Sequence, residues 1–173
     1  MTGDCTRSRK NLTKLCHCLI RYLGGVREPI PTYCFSLVLV KNGRRFLLVH
    51  EQKHGQGWYL PAGRMEPGET FADAALRETK EEAGIDVELE GVLKIQHTPR
   101  PDHQRIRVFF LARPKDDTAP KSVADEHSIE AGWFSLEETN ALTLRGDEVQ
   151  EWMKYVLANP VVAPLSMLSR EVP

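Results

Sequence analysis

Cysteine is scarce in this chain and badly placed for a structural role. The four present, Cys5, Cys16, Cys18 and Cys34, all fall in the first fifth of 173 residues. They form neither a spread disulfide framework nor the C-x2-C pairs of a zinc site, so we expect reduced thiols and a cytoplasmic protein. Long hydrophobic runs are missing, which excludes a spanning helix and argues against a membrane partner. Net charge is nearly absent: 23 Lys and Arg face 24 Asp and Glu, for a total of −1. Wrapping of nucleic acid, which needs bulk basicity, is therefore not expected. Repeats and low-complexity tracts are absent as well. What remains, 41% hydrophobic and 27% charged residues, describes one ordinary domain with a real core.

One stretch stands out against this plain background, GRMEPGETFADAALRETKEEAGI from Gly63 to Ile85. Its second half has helical signals. Thr70 is an N-cap with Asp73 three residues on, Ala72, Ala75, Leu76, Thr79 and Ala83 form an apolar stripe, and Gly84 is a C′ stop. Glu78, Glu81 and Glu82 then fall at i, i+3 and i+4, so their carboxylates share one face. Crowded like charges cost stability unless a cation neutralises them. Oxygen donors on a helix edge suit Mg²⁺, or Mn²⁺, and leave positions open for water and phosphate. A solvated acidic face is the competing account of an isolated E-x-x-E-E.

The full pattern decides between them. Gly63, Glu69, Arg77, Glu78, Glu81, Glu82, Gly84 and Ile85 fit G-x5-E-x7-R-E-x-x-E-E-x-G-(apolar), which resembles the signature of the Nudix hydrolases. Thr79 departs from the usual aliphatic residue, and its shape is close to Val. The resemblance covers roughly residues 33–158. It implies an α/β fold, an α/β/α sandwich with a mixed β-sheet, and hydrolysis of nucleoside diphosphates linked to another group. It also implies Mg²⁺ held by Glu78, Glu81, Glu82 and the Gly63 carbonyl. Glu69 and Arg77 read as an ion pair between loop and helix. A Walker A loop shares the glycine spacing of Gly63 and Gly68, but Glu69 stands where that loop needs Lys.

Along the rest of the chain, residues 1–31 form a basic stretch with helical spacing at Leu12, Leu15, Leu19 and Leu23. A targeting peptide, an extra helix and a contact in a homodimer all fit it. The domain proper is expected over 32–160, with a tail at 161–173. Strands are expected at Tyr33–Val40, from Arg45 to His50, from Val87 to His97 with a break at Gly91, from Arg105 to Ala112, and from Glu130 to Leu136. A short helix at 136–141 follows. A closing amphipathic helix carries Val149, Trp152, Met153, Val156 and Leu157, capped at Asp147.

Hydrolysis of a phosphoanhydride needs charge neutralisation and a water aligned with the leaving group. Glu81 and Glu82 are candidate bases on the helix. Asp125, Glu126 and Glu130 form a second acidic set, of which Glu130 is preferred because a strand follows it directly. For a small nucleotide, Tyr33 or Phe35 offers a ring for stacking, and Gln52, His54 and Trp133 could line a pocket. His97, Arg100, His103 and Arg105 sit in or beside one loop and could meet phosphate or ribose. WYLPAGRMEPGET, FFLARP, ADEHSIEAGWF and TLRGDEV are similar to the animal Nudix type that acts on 8-oxo-guanine nucleoside diphosphates. Oxidised purine nucleotides, 8-oxo-dGDP or 8-oxo-dGTP, are thus the expected substrates. ADP-ribose is the alternative, since Pro99 and Pro101 bracket the position where its hydrolases carry a proline. A domain that binds a nucleotide without cleaving it is a rival class, which loss of a box glutamate would favour. None is lost.

Overall fold

The computed structural model of the chain describes residues 29–53 and 55–171. The basic extension expected over residues 1–31 lies almost wholly outside them, and one compact unit begins at Thr32. Among the described residues that unit has seven strands: β1 (Thr32–Asn42), β2 (Arg45–Glu51), β3 (Trp58–Tyr59), β4 (Ala62–Arg64), β5 (Val87–Pro99), β6 (Gln104–Pro114) and β7 (Ser128–Phe134). It has two α-helices, α1 (Phe71–Ala83) and α2 (Glu148–Leu157).

β1 is the centre. It runs parallel to β6 over nine residue pairs from Thr32↔Gln104 to Val40↔Ala112, and antiparallel to the short β4. β5 closes that side, antiparallel to β6. β2 joins β1 only at the hairpin tip, Lys41↔Phe46 and Asn42↔Arg45, then carries β3 on one flank and β7 on the other. The sheet is mixed and splays open beyond the hairpin.

Alternation along β1 explains why its sequence reads as continuous apolar. Leu37 and Leu39 join Phe46, Phe109, Trp152 and Met153 in a core under α2. Val38 and Val40 join Val108, Phe110, Ala75 and Ala83 in a second core under α1. Each face of the sheet buries one helix, so the fold is an α/β/α sandwich.

The helix signals hold at α1. Thr70 accepts from the Asp73 N–H, Asp73 accepts from the Thr70 N–H, and Gly84 closes the helix at φ 75°. The stripe differs from expectation by a small rotation: Ala74 is buried and Leu76 is 38% exposed. Ser36 donates to the Phe71 carbonyl at 2.6 Å, which draws the helix start onto β1 and turns Leu76 to the flank. Asp147 precedes α2 in helical conformation, and its side chain makes no cap bond. Beyond α2 the chain returns over the sheet edge, where Ala163 and Val92 exchange two backbone hydrogen bonds, and a 3₁₀ turn follows at Leu165–Leu168.

Candidate active site

The glycine loop is strapped to the middle of the sheet. Val38 donates to the Pro61 carbonyl at 2.9 Å, Met65 donates to the Cys34 carbonyl at 3.0 Å, and Gly63 lies opposite Ser36 in the β1–β4 pairing. This brings the loop against the last turns of α1. The approach is so close that a Cβ on Gly63 would lie 1.8 Å from the Glu78 carboxylate. Only glycine leaves room for that carboxylate beside the loop backbone.

Arg77 holds the acidic face together. Its Nε and Nη2 donate to the two carboxylate oxygens of Glu69 at 2.6 and 2.9 Å. Nη1 donates to Glu78 at 2.8 Å and to Glu81 at 3.0 Å, and Nη2 also reaches the Arg64 carbonyl. The hydrogen bonds from Arg77 hold the Glu69 carboxyl below its usual range. Glu78 is pushed up, chiefly by burial. Glu82 lies beyond the reach of Arg77 and accepts from the Ala62 N–H at 2.9 Å. Burial, then the charges of Glu78 and Glu51, push its carboxyl up to about 8.

Glu82 and Gly63 open into a cleft of about 340 Å³. Phe35, Leu37 and Tyr59 form an apolar wall, Arg64, Arg105 and Arg145 a cationic one, and Gln52, Lys53, Glu126 and His127 the rim. Arg145 arrives there because the segment after the β7 turn is bound to β3: Trp58 donates to the Thr143 carbonyl at 2.8 Å, and Arg145 to the Trp58 carbonyl at 3.0 Å. Its guanidinium pairs with Glu51 at 2.6 Å and lies 4.7 Å from the Tyr59 ring centre. Lys121 donates to the Glu81 carbonyl and to Asp125, and Ser128 donates to the Glu82 carbonyl, so the loop bearing Glu126 is tied to α1.

The candidates separate clearly. Gly63, Glu82, Phe35 and Gln52 line the cleft, with Glu78 packed behind Gly63. Glu81 borders this group through Arg77. Glu130 is not brought there: across the β2–β7 pairing its carboxylate meets the His50 ring at 3.4 Å. Trp133 packs with the core under α1, whereas the apolar wall belongs to the other face. Arg100 is exposed in the β5–β6 turn, its N–H bound to the His103 carbonyl. His54 lies outside the described residues. Glu51, Tyr59, Arg64 and Arg145 are cleft residues that the sequence did not single out. No local signal marks them, since Glu51 and Arg145 meet across 94 residues.

Among the described residues no three His, Cys, Asp or Glu side chains already converge at ligating geometry. The donor set nevertheless fits a hard cation. Glu82 feels the charges of Glu78 and Glu51 beside a glycine cradle, and its burial makes its own charge costly without a counter-ion.

A buried acidic helix clamped to a glycine loop on a mixed sandwich defines a class. A family model for the NUDIX domain matches residues 31–158, and the chain belongs to the Nudix hydrolase family. Within it, the chain is 40% identical over 105 residues to the Homo sapiens protein named 8-oxo-dGDP phosphatase NUDT18, an alignment covering 59% of this chain and 32% of that one. It is 34% identical over 97 residues to the Sus scrofa bis(5'-nucleosyl)-tetraphosphatase, covering 54% and 65%. The chain thus spans about a third of the length of the NUDT18 relatives it matches. A NUDIX hydrolase from Nitrosomonas europaea superposes with a TM-score of 0.67 at 24% identity, over 81% of this chain and 97% of that one, which is a likeness of fold. No described helix is long and apolar enough to cross a membrane.

Proposed function

We propose that this chain hydrolyses a phosphoanhydride bond of a nucleoside diphosphate derivative and releases a nucleoside monophosphate, with 8-oxo-dGDP or 8-oxo-dGTP as the leading substrates. The observation that carries it is the packing of Glu78 against Gly63 and of Glu82 against the Ala62 N–H, beside a cleft lined by Arg64, Arg105 and Arg145. Glu78, Glu82 and the Gly63 carbonyl would hold Mg²⁺, or Mn²⁺, with Glu81 beside them. When bound, the ion neutralises phosphate oxygens and makes a bound water more acidic. The residues do the rest. Arg77 fixes Glu78 and Glu81 against the loop, so the carboxylates do not have to be ordered when substrate arrives. Tyr59 and Phe35 offer apolar area to the nucleoside, and Arg64 in the cleft lining supplies positive charge. Water adds to phosphorus as the bridging P–O bond breaks, and its proton passes to a carboxylate. Glu82 and Glu81 on the helix are the nearest acceptors, with Glu126 at the rim.

The preference for oxidised guanine draws support from the name of the NUDT18 relatives and from similarity outside the glutamate helix. A panel of 8-oxo-dGDP, 8-oxo-dGTP, ADP-ribose and diadenosine polyphosphates with Mg²⁺, scored by product, tests it. Release of AMP from ADP-ribose alone would overturn the oxidised-guanine preference. Tight binding of one nucleotide with no turnover of any would show a binding module instead.

A further inference from the structure

The arginines around the cleft are not alike. Arg145 is neutralised by Glu51 at 2.6 Å. Arg107, two residues along β6 from Arg105, donates to both oxygens of Glu148 at 3.0 Å and to Gln96. Arg105 lies with its guanidinium 4.7 Å from the Phe35 ring centre, in the cleft wall. Among the described residues no carboxylate pairs with it, and its buried Nε has no hydrogen-bond acceptor. Burial and the neighbouring Arg107 and Arg145 both disfavour its charge. A buried Nε left without an acceptor weakens the fold. A ligand that supplies acceptors there removes that cost.

Position narrows the ligand. Arg105 stands opposite Tyr33 in the β1–β6 pairing, while Gly63 stands opposite Ser36. Three residues along a strand is about 10 Å. A nucleotide whose phosphates lie at Gly63 extends its base over that span, toward the guanidinium stacked on Phe35. Guanidinium is donor-only. Guanine presents O6 and N7 as a pair of acceptors to such a fork; its 8-oxo form carries hydrogen on N7 and presents O6 and O8 as carbonyl acceptors on either side of it. Adenine presents an amino group at position 6, which sets donor against donor.

We infer that Arg105, stacked on Phe35, is a specificity residue that reads the base edge and selects keto purines over amino purines. This rests on the nucleotide reading of the site and not on turnover. The test is equilibrium binding of the monophosphates dGMP, 8-oxo-dGMP and dAMP to the intact chain, by calorimetry. The wild type is expected to bind dGMP at least about tenfold more tightly than dAMP, the discrimination that one good bidentate contact gives, and to bind 8-oxo-dGMP, through its carbonyl oxygens alone, more tightly than dAMP by a smaller factor. In Arg105→Met and Arg105→Gln that ratio falls toward one, and Arg105→Lys restores part of it. Phe35→Leu, which frees the guanidinium from its ring, lowers the ratio too and serves if the Arg105 variants melt early. Equal loss for all three nucleotides would make Arg105 a phosphate contact and overturn the inference. A wild type with no preference, or no binding, overturns it as well. Hydrolysis of the matching diphosphates, measured alongside, bears only on catalysis: a protein that discriminates bases and cleaves none keeps this inference and loses the proposed activity.

Discussion

Glu82→Gln should make the metal-free protein more stable and the enzyme nearly inactive. The Glu82 carboxyl is surrounded by protein, close to Glu78 and Glu51, and its pKa is raised to about 8 from an ordinary carboxylate value near 4.5. The folded state therefore holds a proton that the unfolded chain releases. Stability from this group is full below about pH 4.5 and is lost as the pH rises toward about 8. Taken whole, that difference is on the order of 4 to 5 kcal/mol. Because the residue also opens on the cleft, water reduces it, and about 2 kcal/mol is the working figure. Glutamine keeps an oxygen for the Ala62 N–H and carries no charge to bury. In EDTA, the variant should melt at the wild-type temperature near pH 5 and about 4 to 8 °C higher near pH 8, since 1 kcal/mol moves Tm by about 2 to 4 °C in a chain of this size. Mg²⁺ should reverse the order, raising the wild-type Tm by mass action and the variant's less. Turnover should fall by roughly 100-fold or more. Parallel melting curves across that pH range would refute the burial argument. Wild-type turnover in the variant would refute the metal role of this residue.

Other substitutions test the parts that hold this carboxylate. Gly63→Ala places a methyl 1.8 Å from the Glu78 carboxylate, so it should displace Glu78 and raise the Mg²⁺ concentration needed for half-maximal activity about tenfold. Arg77→Met leaves Glu69, Glu78 and Glu81 facing one another, and should lower unfolding free energy by about 2 to 3 kcal/mol in a urea titration, with part of the loss recovered by Mg²⁺. Thr70→Ala removes the cap of α1 and should cost about 1 kcal/mol by the same titration, with little change in turnover at saturating metal. Gly91→Val brings a side chain against the Ala163 carbonyl, 2.5 Å from the Cβ position, and should cost about 1 to 3 kcal/mol. Deleting residues after Pro160 should remove most of that difference between Gly and Val.

What the sequence makes legible follows from distance along the chain. The cap of α1, its glycine stop and the Glu69–Arg77 pair are all settled within a few turns of chain, and each appears as read. Pairing between strands is another matter, because nothing local in Phe35 or Arg105 states that β1 runs beside β6 in parallel. Trp133 shows the cost of that gap: an aromatic near an acidic loop looks like a pocket wall, yet strand alternation sends it with Ala131 to the core under α1. Glu130 looked rigidly placed for the same local reason, and its strand partner turned out to be His50. The cleft itself is assembled from residues whose meaning exists only after folding. Glu51 reads as one more strand-end acid until Arg145 reaches it from 94 residues away. Arg105 reads, with His97, Arg100 and His103, as a residue beside one loop that could meet phosphate or ribose. The structure gives Arg107 to Glu148 and leaves Arg105 on Phe35. The glutamate helix could be read because its pattern is written on consecutive turns; the lining of the cleft around Arg105 could not, because it is written across the sheet.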